Sequence, residues 1–430
     1  MNYVTIHPSQ LKGEVTIPPS KSLSHRAVIA SGLSKGTSII ENVMFSEDIS
    51  ATCVCMESLG AIIEKIETGD NIYTLNVTGS NDLKLLQNKI NCNESGSTLR
   101  FLVPISLIHH NNVTFNGRGK LVSRPLNEYY KIFDKQEVEY STSSGSLPLK
   151  INGSLKADTF EIAGNVSSQF ITGLLFALPL LNGNSTIKIT GILESKGYVD
   201  LTLDILDKFS IQVTNDNYKK FHVDGNQLYK NRDLSVEGDF SQAAFWLVAG
   251  VIGGEINCLG LNPSSLQGDK EVLDILKRMN GTANINSNSI YAETSKTKNT
   301  IIDGSQCPDI IPILAVLASL SEGTTEIINA GRLRIKESDR LTAITTELTK
   351  LGADIAEKDD GLIINGKNQL NGGEVDSWND HRIAMSLAIA SLRCKNDVII
   401  KDSSCINKSY PTFWQDFKKL GGKINEWSLG

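Results

Sequence analysis

Six stretches of this chain share one pattern, a helix-length run that is apolar on nearly every side and rich in small residues. They begin near Ser22, Ser97, Ser168, Ser241, Pro308 and His381, at intervals of roughly 70 residues. Most runs end near a glycine, and a segment typical of a β-strand follows. A helix that is apolar all round is usually buried, so the pattern predicts six core helices.

A second, amphipathic helical pattern lies between these runs. Its copies begin near Asp48, Pro125, Tyr198, Lys270, Ser338 and Pro411. They tend to end in a Leu-Gly-Ala-like turn, in which glycine supplies a left-handed C-cap, and an alternating strand follows. The copy at 130–140 is predicted to be degraded and short.

The two patterns together predict an α/β fold of six β-α-β-α-β-β repeats, three in each of two lobes. Polar, turn-rich sequence near 19–21 and 226–235 marks the points where the chain crosses between lobes. We therefore expect one discontinuous lobe, residues 1–20 with 231–430, and a second lobe, residues 21–230. The alternative is an ordinary α/β fold whose helices resemble one another by chance.

Composition narrows the classes of function. The chain has 430 residues, 40% hydrophobic and 6% aromatic, and a formal net charge of -6. A general nucleic-acid binder is usually basic, so any anionic ligand must be held by locally concentrated Lys and Arg. Seven cysteines lack a metal-ligand spacing, and neither a secretory signal nor an apolar run of ~20 residues is visible. We expect free thiols and a soluble, intracellular chain.

Chemistry-bearing residues collect at helix starts. The core helices begin with Lys21, Ser22 and Arg26; Gly96, Ser97 and Arg100; Ser167, Ser168 and Gln169; Asp239 and Ser241; Asp309; and Asp380, His381 and Arg382. The amphipathic helices add Arg124, Tyr198, Lys336, Glu337, Arg340 and Lys408. Helix N-termini attract phosphate and carboxylate groups. If both lobes aim these ends at one interdomain cleft, the cleft suits small, highly anionic substrates.

Each of these residues also has a structural interpretation. A serine at a helix start is often only an N-cap. Arg26 and Arg100 could form structural ion pairs with carboxylates, and the charges of 336–340 could pair on the surface. His381 could be an ordinary interior histidine. Recurrence in nearly every repeat favours the ligand-binding interpretation. Phosphate-loop, dinucleotide, zinc-protease and serine-hydrolase motifs are absent from the sequence.

Nine segments in order across nearly the whole chain resemble the family of 5-enolpyruvylshikimate-3-phosphate synthases. They are PPSKSLSHR (18–26), ESGSTLR (94–100), SRPL (123–126), SSQF (167–170), SKGYVD (195–200), PDIIP (308–312), LRIKESDR (333–340), NDHRIAMS (379–386) and NKSYPTFW (407–414). The chain departs from the usual pattern at Pro19, at Glu94-Ser95, at Phe101 and at Arg332, and the segment after Arg124 is shorter.

The resemblance implies the enolpyruvyl transferase fold, a two-lobed inside-out α/β barrel, and transfer of the enolpyruvyl group from phosphoenolpyruvate to shikimate-3-phosphate in the shikimate pathway. It implies that shikimate-3-phosphate is bound by Lys21, Ser22, Arg26, Ser167, Ser168, Gln169, Tyr198, Asp309 and Lys336. It implies that phosphoenolpyruvate is bound by Lys21, Gly96, Arg124, Gln169, Arg340, Arg382 and Lys408. It further implies a cytoplasmic monomer with no cofactor, no metal, no nucleic-acid partner and no membrane partner.

The same resemblance makes Asp309 and Glu337 the proton-transfer pair, with Lys21 as a third catalytic residue. The sugar hydroxyl loses a proton as it attacks C2 of phosphoenolpyruvate, while C3 gains one; phosphate then leaves as C3 is deprotonated. Two carboxyl groups can serve when their environments favour different protonation states. We expect Asp309 to act on the hydroxyl and Glu337 on C3.

Three other functions compete with this one. A related enolpyruvyl transferase acts on a UDP-amino sugar, but it carries Lys-Asn at the first motif and usually a loop cysteine, whereas this chain has Lys21-Ser22 and no cysteine in 117–125. A non-catalytic repeat protein would have lost Asp309, Glu337 or the phosphoenolpyruvate-binding bases. An RNA-end-processing enzyme would need a basic surface, which the net charge disfavours.

Overall fold

Twelve α-helices alternate with twenty-four β-strands in the computed structural model, which describes residues 2–80, 83–109 and 111–428. By their contacts the residues form two units, Pro19–Val236 and Met1–Pro18 with Glu237–Gly430. The first unit is continuous in sequence, whereas the second joins the N-terminal strands to the C-terminal half of the chain.

The strands are β1 (Asn2–His7), β2 (Lys12–Thr16), β3 (Gly36–Met44), β4 (Ile62–Gly69), β5 (Ile72–Gly79), β6 (Lys89–Asn91), β7 (Asn111–Asn116), β8 (Glu139–Ser143), β9 (Ser146–Gly153), β10 (Thr159–Ala163), β11 (Ser185–Thr190), β12 (Val213–Asp216), β13 (Lys220–Val223), β14 (Leu234–Ser235), β15 (Glu255–Leu259), β16 (Thr282–Ile285), β17 (Ser289–Glu293), β18 (Ile301–Asp303), β19 (Thr324–Ile328), β20 (Asp354–Lys358), β21 (Gly361–Asn365), β22 (Gly373–Asp376), β23 (Val398–Lys401) and β24 (Lys423–Ser428).

The helices are α1 (Lys21–Leu33), α2 (Glu47–Ser58), α3 (Gly96–Ile105), α4 (Asn127–Gln136), α5 (Ser168–Ala177), α6 (Lys196–Lys208), α7 (Phe240–Gly253), α8 (Val272–Arg278), α9 (Ile311–Ser319), α10 (Arg340–Lys350), α11 (His381–Ala390) and α12 (Phe413–Lys419). Short 3₁₀ turns span Gly119–Ser123, Leu178–Leu180, Gly268–Glu271, Pro308–Ile310, Gly331–Ile335, Ser391–Arg393 and Ser403–Lys408.

The described strands form six four-stranded sheets with one common plan. In the sheet β10-β11-β13-β12, the pair β10 and β11 is parallel, and the other two pairs are antiparallel. A helix joins β10 to β11, as parallel neighbours require, and a second helix leads to β12. The other five sheets repeat this order, which confirms the predicted six β-α-β-α-β-β repeats.

Three of the sheets are completed by a strand from a distant part of the sequence. In the Pro19–Val236 unit, β14 pairs in parallel with β3 and supplies the opening strand of the first repeat. In the other unit, β2 opens the repeat of β15, and β1 lies between β23 and β24 as the closing strand of the last repeat. Each unit is therefore closed by pairing between its own first and last segments.

The predicted core helices are buried in both units. Almost every residue of α1, α3 and α5, and of α7, α9 and α11, lies inside its unit. Their starts lie within three residues of the predicted positions. The largest difference is α9, which begins at Ile311 because the 3₁₀ turn Pro308–Ile310 precedes it.

A glycine allows α3 and α5 to pack with their backbones close together. A β-carbon on Gly173 would lie 2.3 Å from the carbonyl oxygen of Arg100 and 2.4 Å from the hydroxyl of Tyr129. Tyr129 donates that hydroxyl to the same carbonyl. The close approach brings the N-terminal turn of α5 against that of α3.

Most of the serines predicted as possible N-caps do not cap their helices. Ser20 and Ser95 cap α1 and α3 by accepting backbone N–H groups. Ser22 and Ser97 lie inside the first turns instead, so the N-cap interpretation is wrong for both. It is correct for Ser167, which accepts from Gln169 N at the start of α5.

Two smaller expectations also have outcomes. The α4 copy is a regular ten-residue helix, longer than α8 and α12, so the prediction of a degraded, short copy is wrong. All seven cysteines are buried free thiols. Among the described residues, no helix has both the length and the apolar character that crossing a bilayer requires.

Candidate functional site

In the Pro19–Val236 unit, Arg26 joins three helices. Its Nε donates to Thr202 Oγ1 at 2.9 Å, and its Nη2 donates to the carbonyl of Tyr198 at 2.8 Å, both on α6. A longer contact of 3.4 Å reaches Thr172 on α5, and Nη1 donates to the carbonyl of Ser22 at 2.7 Å. These partners are hydroxyl and carbonyl oxygens, so the predicted alternative of a structural carboxylate pair is wrong for Arg26.

Burial shapes the electrostatics at this position. Arg26 is 3% exposed, and desolvation lowers its pKa to about 10. It remains a cation at neutral pH, and no carboxylate of the described residues is among its hydrogen-bond partners. A buried guanidinium of this kind attracts an anion strongly, because little water screens its charge.

The starts of α3 and α5 are linked through Gln169. Its amide Nε2 donates to Ser97 Oγ at 2.9 Å, and its carbonyl Oε1 accepts from Arg100 Nη1 at 2.8 Å. Arg100 Nη2 donates to the carbonyl of Pro125 at 3.1 Å. Gln169 thus links the two helix N-termini, and Arg100 links them to the segment that follows Arg124.

Gly96 and Arg124 lie in direct contact. Gly96 is the first residue of α3, and Arg124 follows the 3₁₀ turn Gly119–Ser123. The space that a β-carbon of Gly96 would fill is taken by the guanidinium of Arg124 and bordered by that of Arg100. Two cationic groups therefore lie beside the N-terminus of α3, an arrangement suited to an anion.

Lys21 begins α1 and forms an ion pair with Asp48 of α2, at 2.8 Å between Nζ and Oδ2. Both side chains are more than four-fifths buried. Ser22 follows Lys21 and is half-buried, and Ser168 is the buried first residue of α5. The predicted residues of this unit lie in or beside the first turns of α1, α3, α5 and α6 and are called the α1/α3/α5 cluster: Lys21, Ser22, Arg26, Gly96, Arg124, Ser167, Ser168, Gln169 and Tyr198.

In the other unit, Asp309 lies among three cations. Its Oδ1 accepts from Arg340 Nη1 at 3.0 Å and from Lys336 Nζ at 3.2 Å. Arg382 Nη2 lies 3.7 Å from Oδ2. Opposite charges at these distances favour the ionised form of a carboxyl group.

Arg340 is the centre of this second group. It donates Nε and Nη2 to the two oxygens of Asp380, at 2.8 and 3.2 Å, and Nη2 also to Glu337 Oε2 at 2.9 Å. Burial lowers the pKa of Arg340, but the carboxylates of Asp380, Glu337 and Asp309 raise it further, so the net pKa lies above the usual value. Because Arg340 is 1% exposed, the alternative of surface pairing is wrong for it.

The other cations of the group are Lys336, Arg382 and Lys408. Burial lowers the pKa of Lys336, and Asp309 opposes this effect. Lys408 is buried and donates Nζ to the carbonyl of Asn379 at 2.9 Å. Arg382 is also buried, and among the described residues its Nε has no hydrogen-bond partner. The predicted residues of this unit form the Asp309 cluster: Asp309, Lys336, Glu337, Arg340, Arg382 and Lys408.

The chemistry of the Asp309 cluster combines anion binding with proton transfer. Asp309 and Glu337 both contact Arg340, and Asp309 also contacts Lys336. Two carboxyl groups with different sets of cationic neighbours can hold protons differently. The Nε of Arg382 is a donor available for an incoming anion.

Several residues that hold these side chains were missed at the sequence level. Thr202 fixes Arg26 and lies one helical turn after Tyr198, so its helical spacing could have indicated it. Asp48 appeared to be only an acidic first turn, and Asp380 only a helix start. No local signal pointed to Asp269, which binds the Ser241 hydroxyl.

Nearly the whole chain matches one known protein family. Residues 6–417 match the family model described as EPSP synthase (3-phosphoshikimate 1-carboxyvinyltransferase). The 3-phosphoshikimate 1-carboxyvinyltransferase of Clostridium acetobutylicum is 57% identical over 431 residues, covering 100% of both chains. The enzyme of the same name from Clostridium perfringens strain 13 is 59% identical, covering 99% of this chain and 100% of the relative.

Two solved structures superpose on the whole of this chain. An EPSP synthase from Acinetobacter baumannii superposes with a TM-score of 0.83 at 25% identity, with complete coverage of both chains. The enolpyruvyl transferase NikO from Streptomyces tendae has the same fold, with a TM-score of 0.79 at 17% identity, covering 100% of this chain and 99% of that one. The enolpyruvyl transferase fold expected from the resemblance is thereby confirmed.

Proposed function

This chain belongs to the EPSP synthase (3-phosphoshikimate 1-carboxyvinyltransferase) family, and we propose that the α1/α3/α5 cluster and the Asp309 cluster hold the two substrates of that family's reaction. The chain transfers the enolpyruvyl group of phosphoenolpyruvate to the 5-hydroxyl of shikimate-3-phosphate, and phosphate is released. The product, 5-enolpyruvylshikimate-3-phosphate, lies on the shikimate pathway to aromatic amino acids. The family match over residues 6–417 carries this conclusion.

Shikimate-3-phosphate is assigned to the buried cation Arg26 and the hydroxyls around it. Ser22, Ser167, Ser168 and Tyr198 provide polar groups at the starts of α1, α5 and α6. The remaining residues assigned to this substrate are Lys21, Gln169, Asp309 and Lys336. The support for Arg26 is its burial without a carboxylate partner among the described residues, because a phosphate then supplies the missing counter-charge.

Phosphoenolpyruvate is assigned to the guanidinium and ammonium groups that border Gly96 and Asp309. The residues assigned to it are Lys21, Gly96, Arg124, Gln169, Arg340, Arg382 and Lys408. The support is the chemistry of the donors, since paired guanidinium groups suit the carboxylate and the phosphate of this substrate.

Asp309 is proposed as the acceptor of the 5-hydroxyl proton, because its cationic neighbours favour its ionised form. As the hydroxyl oxygen bonds to C2, Glu337 delivers a proton to C3. In the second step the C2–O bond to phosphate breaks and C3 returns its proton. Lys21, paired with Asp48, is proposed to share in proton transfer.

A coupled phosphate-release assay tests the function. Shikimate-3-phosphate with phosphoenolpyruvate should release inorganic phosphate and form the enol ether, which mass spectrometry detects. A UDP-amino sugar in place of shikimate-3-phosphate should give no turnover. Turnover with the UDP-amino sugar alone would contradict the assignment of the acceptor substrate.

The carboxylate roles have a matched control. Asp309→Asn and Glu337→Gln should each lower kcat by about 10²–10⁴-fold, the usual contribution of a positioned acid or base. Asp339→Asn removes a neighbouring acid, but asparagine also caps helices, so its kcat should change little. Near wild-type rates for both Asp309→Asn and Glu337→Gln would remove them from proton transfer.

The chain is further proposed to act in the cytoplasm as a monomer. Both substrates are phosphorylated anions, which do not cross a bilayer unaided, and the proposed substrate residues come from one chain. Gel filtration with light scattering should give the mass of a single chain at assay concentration. A stable dimer would contradict the monomer.

A further inference from the structure

Asp269 is a buried acid that the roles above leave unused. It lies in the 3₁₀ turn Gly268–Glu271, after α7 and β15, and is 2% exposed. Ser241, in the first turn of α7, donates its hydroxyl to Asp269 Oδ2. Burial of a carboxyl group is unfavourable for the fold, and this cost points to a chemical role for Asp269.

Ser241 connects Asp269 to the Asp309 cluster. Its carbonyl accepts from Arg382 Nη1 at 3.1 Å. The other end of that guanidinium, Nη2, lies 3.7 Å from Asp309 Oδ2. A continuous path of contacts thus runs from Asp269 through Ser241 and Arg382 to Asp309.

The turn that carries Asp269 is fastened to the start of α7. Gln267 Oε1 accepts from Phe240 N at 3.0 Å, and Gln267 Nε2 donates to the carbonyl of Gly238 at 2.8 Å. Asp239 caps the same helix by accepting from Ser241 N. Because Ser241 is held from both sides, its carbonyl is a rigid anchor for Arg382.

The charges around Asp269 couple it to Asp309. Burial raises the pKa of Asp269 to about 6, Asp309 and Asp239 raise it as well, and the Ser241 hydroxyl and Arg382 lower it. The charge of Asp269 also adds to the burial that raises the pKa of the Cys307 thiol. Electrostatic coupling is mutual, so an ionised Asp269 strengthens the affinity of Asp309 for a proton.

We propose that Asp269 is a positioning residue for enolpyruvyl transfer, which fixes Arg382 through Ser241 and strengthens Asp309 as the acceptor of the 5-hydroxyl proton. This inference rests on the proposed role of Asp309. A purely structural role would need only a hydrogen-bond acceptor for Ser241, which an asparagine supplies. The proposed role needs the negative charge of Asp269 as well.

The first test is the pH profile of Asp269→Asn, which keeps an acceptor for Ser241 but removes the charge. Asp269 is protonated below about pH 6, so wild-type kcat should rise as pH passes through about 6, and this rise should be absent from the variant. On the plateau kcat should fall about tenfold, because Asp309 is a weaker base. KM for phosphoenolpyruvate should stay equal or decrease, since the variant is less negative near Arg382.

Two further variants separate charge from packing. Asp269→Glu restores the charge, so the rise of kcat on ionisation of this carboxyl group should return. Ser241→Ala keeps the Asp269 carboxylate but removes its hydrogen bond to the side chain of Ser241, the residue whose carbonyl holds Arg382. Its KM for phosphoenolpyruvate should rise several-fold, while kcat above pH 8, where Asp269 is ionised, should stay within about threefold.

The outcomes are distinguishable. A rise of kcat near pH 6 that persists in Asp269→Asn, or a raised KM with unchanged kcat, would overturn the inference. If that variant does not fold, Ser241→Ala with an unchanged KM overturns it instead. A wild-type chain that releases no phosphate from shikimate-3-phosphate and phosphoenolpyruvate would overturn both this inference and the function itself. Substrate phosphates titrate in the same range, so every comparison is made against wild type.

Discussion

The guanidinium of Arg124 occupies the space that a side chain on Gly96 would need: a β-carbon there would lie 2.6 Å from Nη1 of Arg124. The clash falls on the end of a long side chain and not on backbone. An added methyl group should therefore displace Arg124 without unfolding the unit. Function and stability are expected to respond differently.

Gly96→Ala should raise KM for phosphoenolpyruvate by about 10–100-fold, because a displacement near 1 Å at a binding group is enough for such a loss. Binding of shikimate-3-phosphate, measured by calorimetry, should change little. Gly69→Ala is the matched control, since its nearest neighbour would be Ile72 at 3.7 Å. An unchanged KM in Gly96→Ala would show that Arg124 does not bind this substrate.

Arg340→Lys should lower both activity and stability. Lysine cannot make the two-oxygen contact with Asp380, and it leaves a buried carboxylate poorly compensated. We expect kcat/KM to fall at least about 100-fold and the free energy of unfolding to fall by about 3–5 kcal/mol. Steady-state kinetics and urea unfolding measure the two effects.

The partner variant Asp380→Asn provides a double-mutant cycle, because asparagine still caps α11. The two substitutions should be strongly non-additive if Arg340 and Asp380 act as a pair. Additive losses would contradict the pairing.

Asp269→Asn should stabilise the fold at neutral pH. The pKa of Asp269 is raised to about 6 in the folded chain, above the ordinary value, so wild type loses stability as pH rises from about 4 to 6 and the buried group ionises. The variant lacks this cost. Above pH 6 its free energy of unfolding should exceed the wild-type value by about 1–3 kcal/mol, and the difference should vanish below pH 4.

Urea unfolding of both chains at pH 4, 5, 6 and 7.5 measures this difference. A gap that is constant with pH would mean that the carboxyl group is not the cause. A gain in stability together with a loss of kcat would show a functional group retained at the expense of the fold.

Gly173→Ala should separate α3 from α5. The added methyl group would meet the Arg100 carbonyl and the Tyr129 hydroxyl inside the core, and overpacking of this kind costs about 1–3 kcal/mol or more. Thermal unfolding should occur at lower temperature, and activity should fall because Gln169 no longer reaches Ser97. Gly253→Ala, at the end of α7 with its nearest contact at 3.4 Å, should leave both nearly unchanged.

Periodicity was enough to predict the repeats. The core helices are apolar on all sides and recur at a regular interval, so their number, type and starts follow from the sequence alone. Pairings between distant segments do not, because nothing local in Asn2–His7 indicates that this strand lies between β23 and β24. The length of α4 was underestimated because its polar face obscured the apolar one.

Some residues of the candidate site could be predicted from the sequence, and others could not. Asp309, Lys336, Arg340 and Arg382 stood out because charged residues are unusual beside core helices, and the structure groups them. Thr202 and Asp269 lie in segments where a polar residue normally faces solvent. Only the folded chain shows that both are turned inward, toward Arg26 and toward Ser241.

The pairing of β1 and β2 with strands far along the sequence bears on how the chain is made. A ribosome makes Asn2–His7 and Lys12–Thr16 before Pro19–Val236, yet their partners β15, β23 and β24 emerge only after the whole of that unit. The inserted unit contains all of its own strands, closing with β14, and can fold during synthesis. The strands β1 and β2 therefore remain unpaired until these later segments are made, and β24 is the last of their partners to be synthesised.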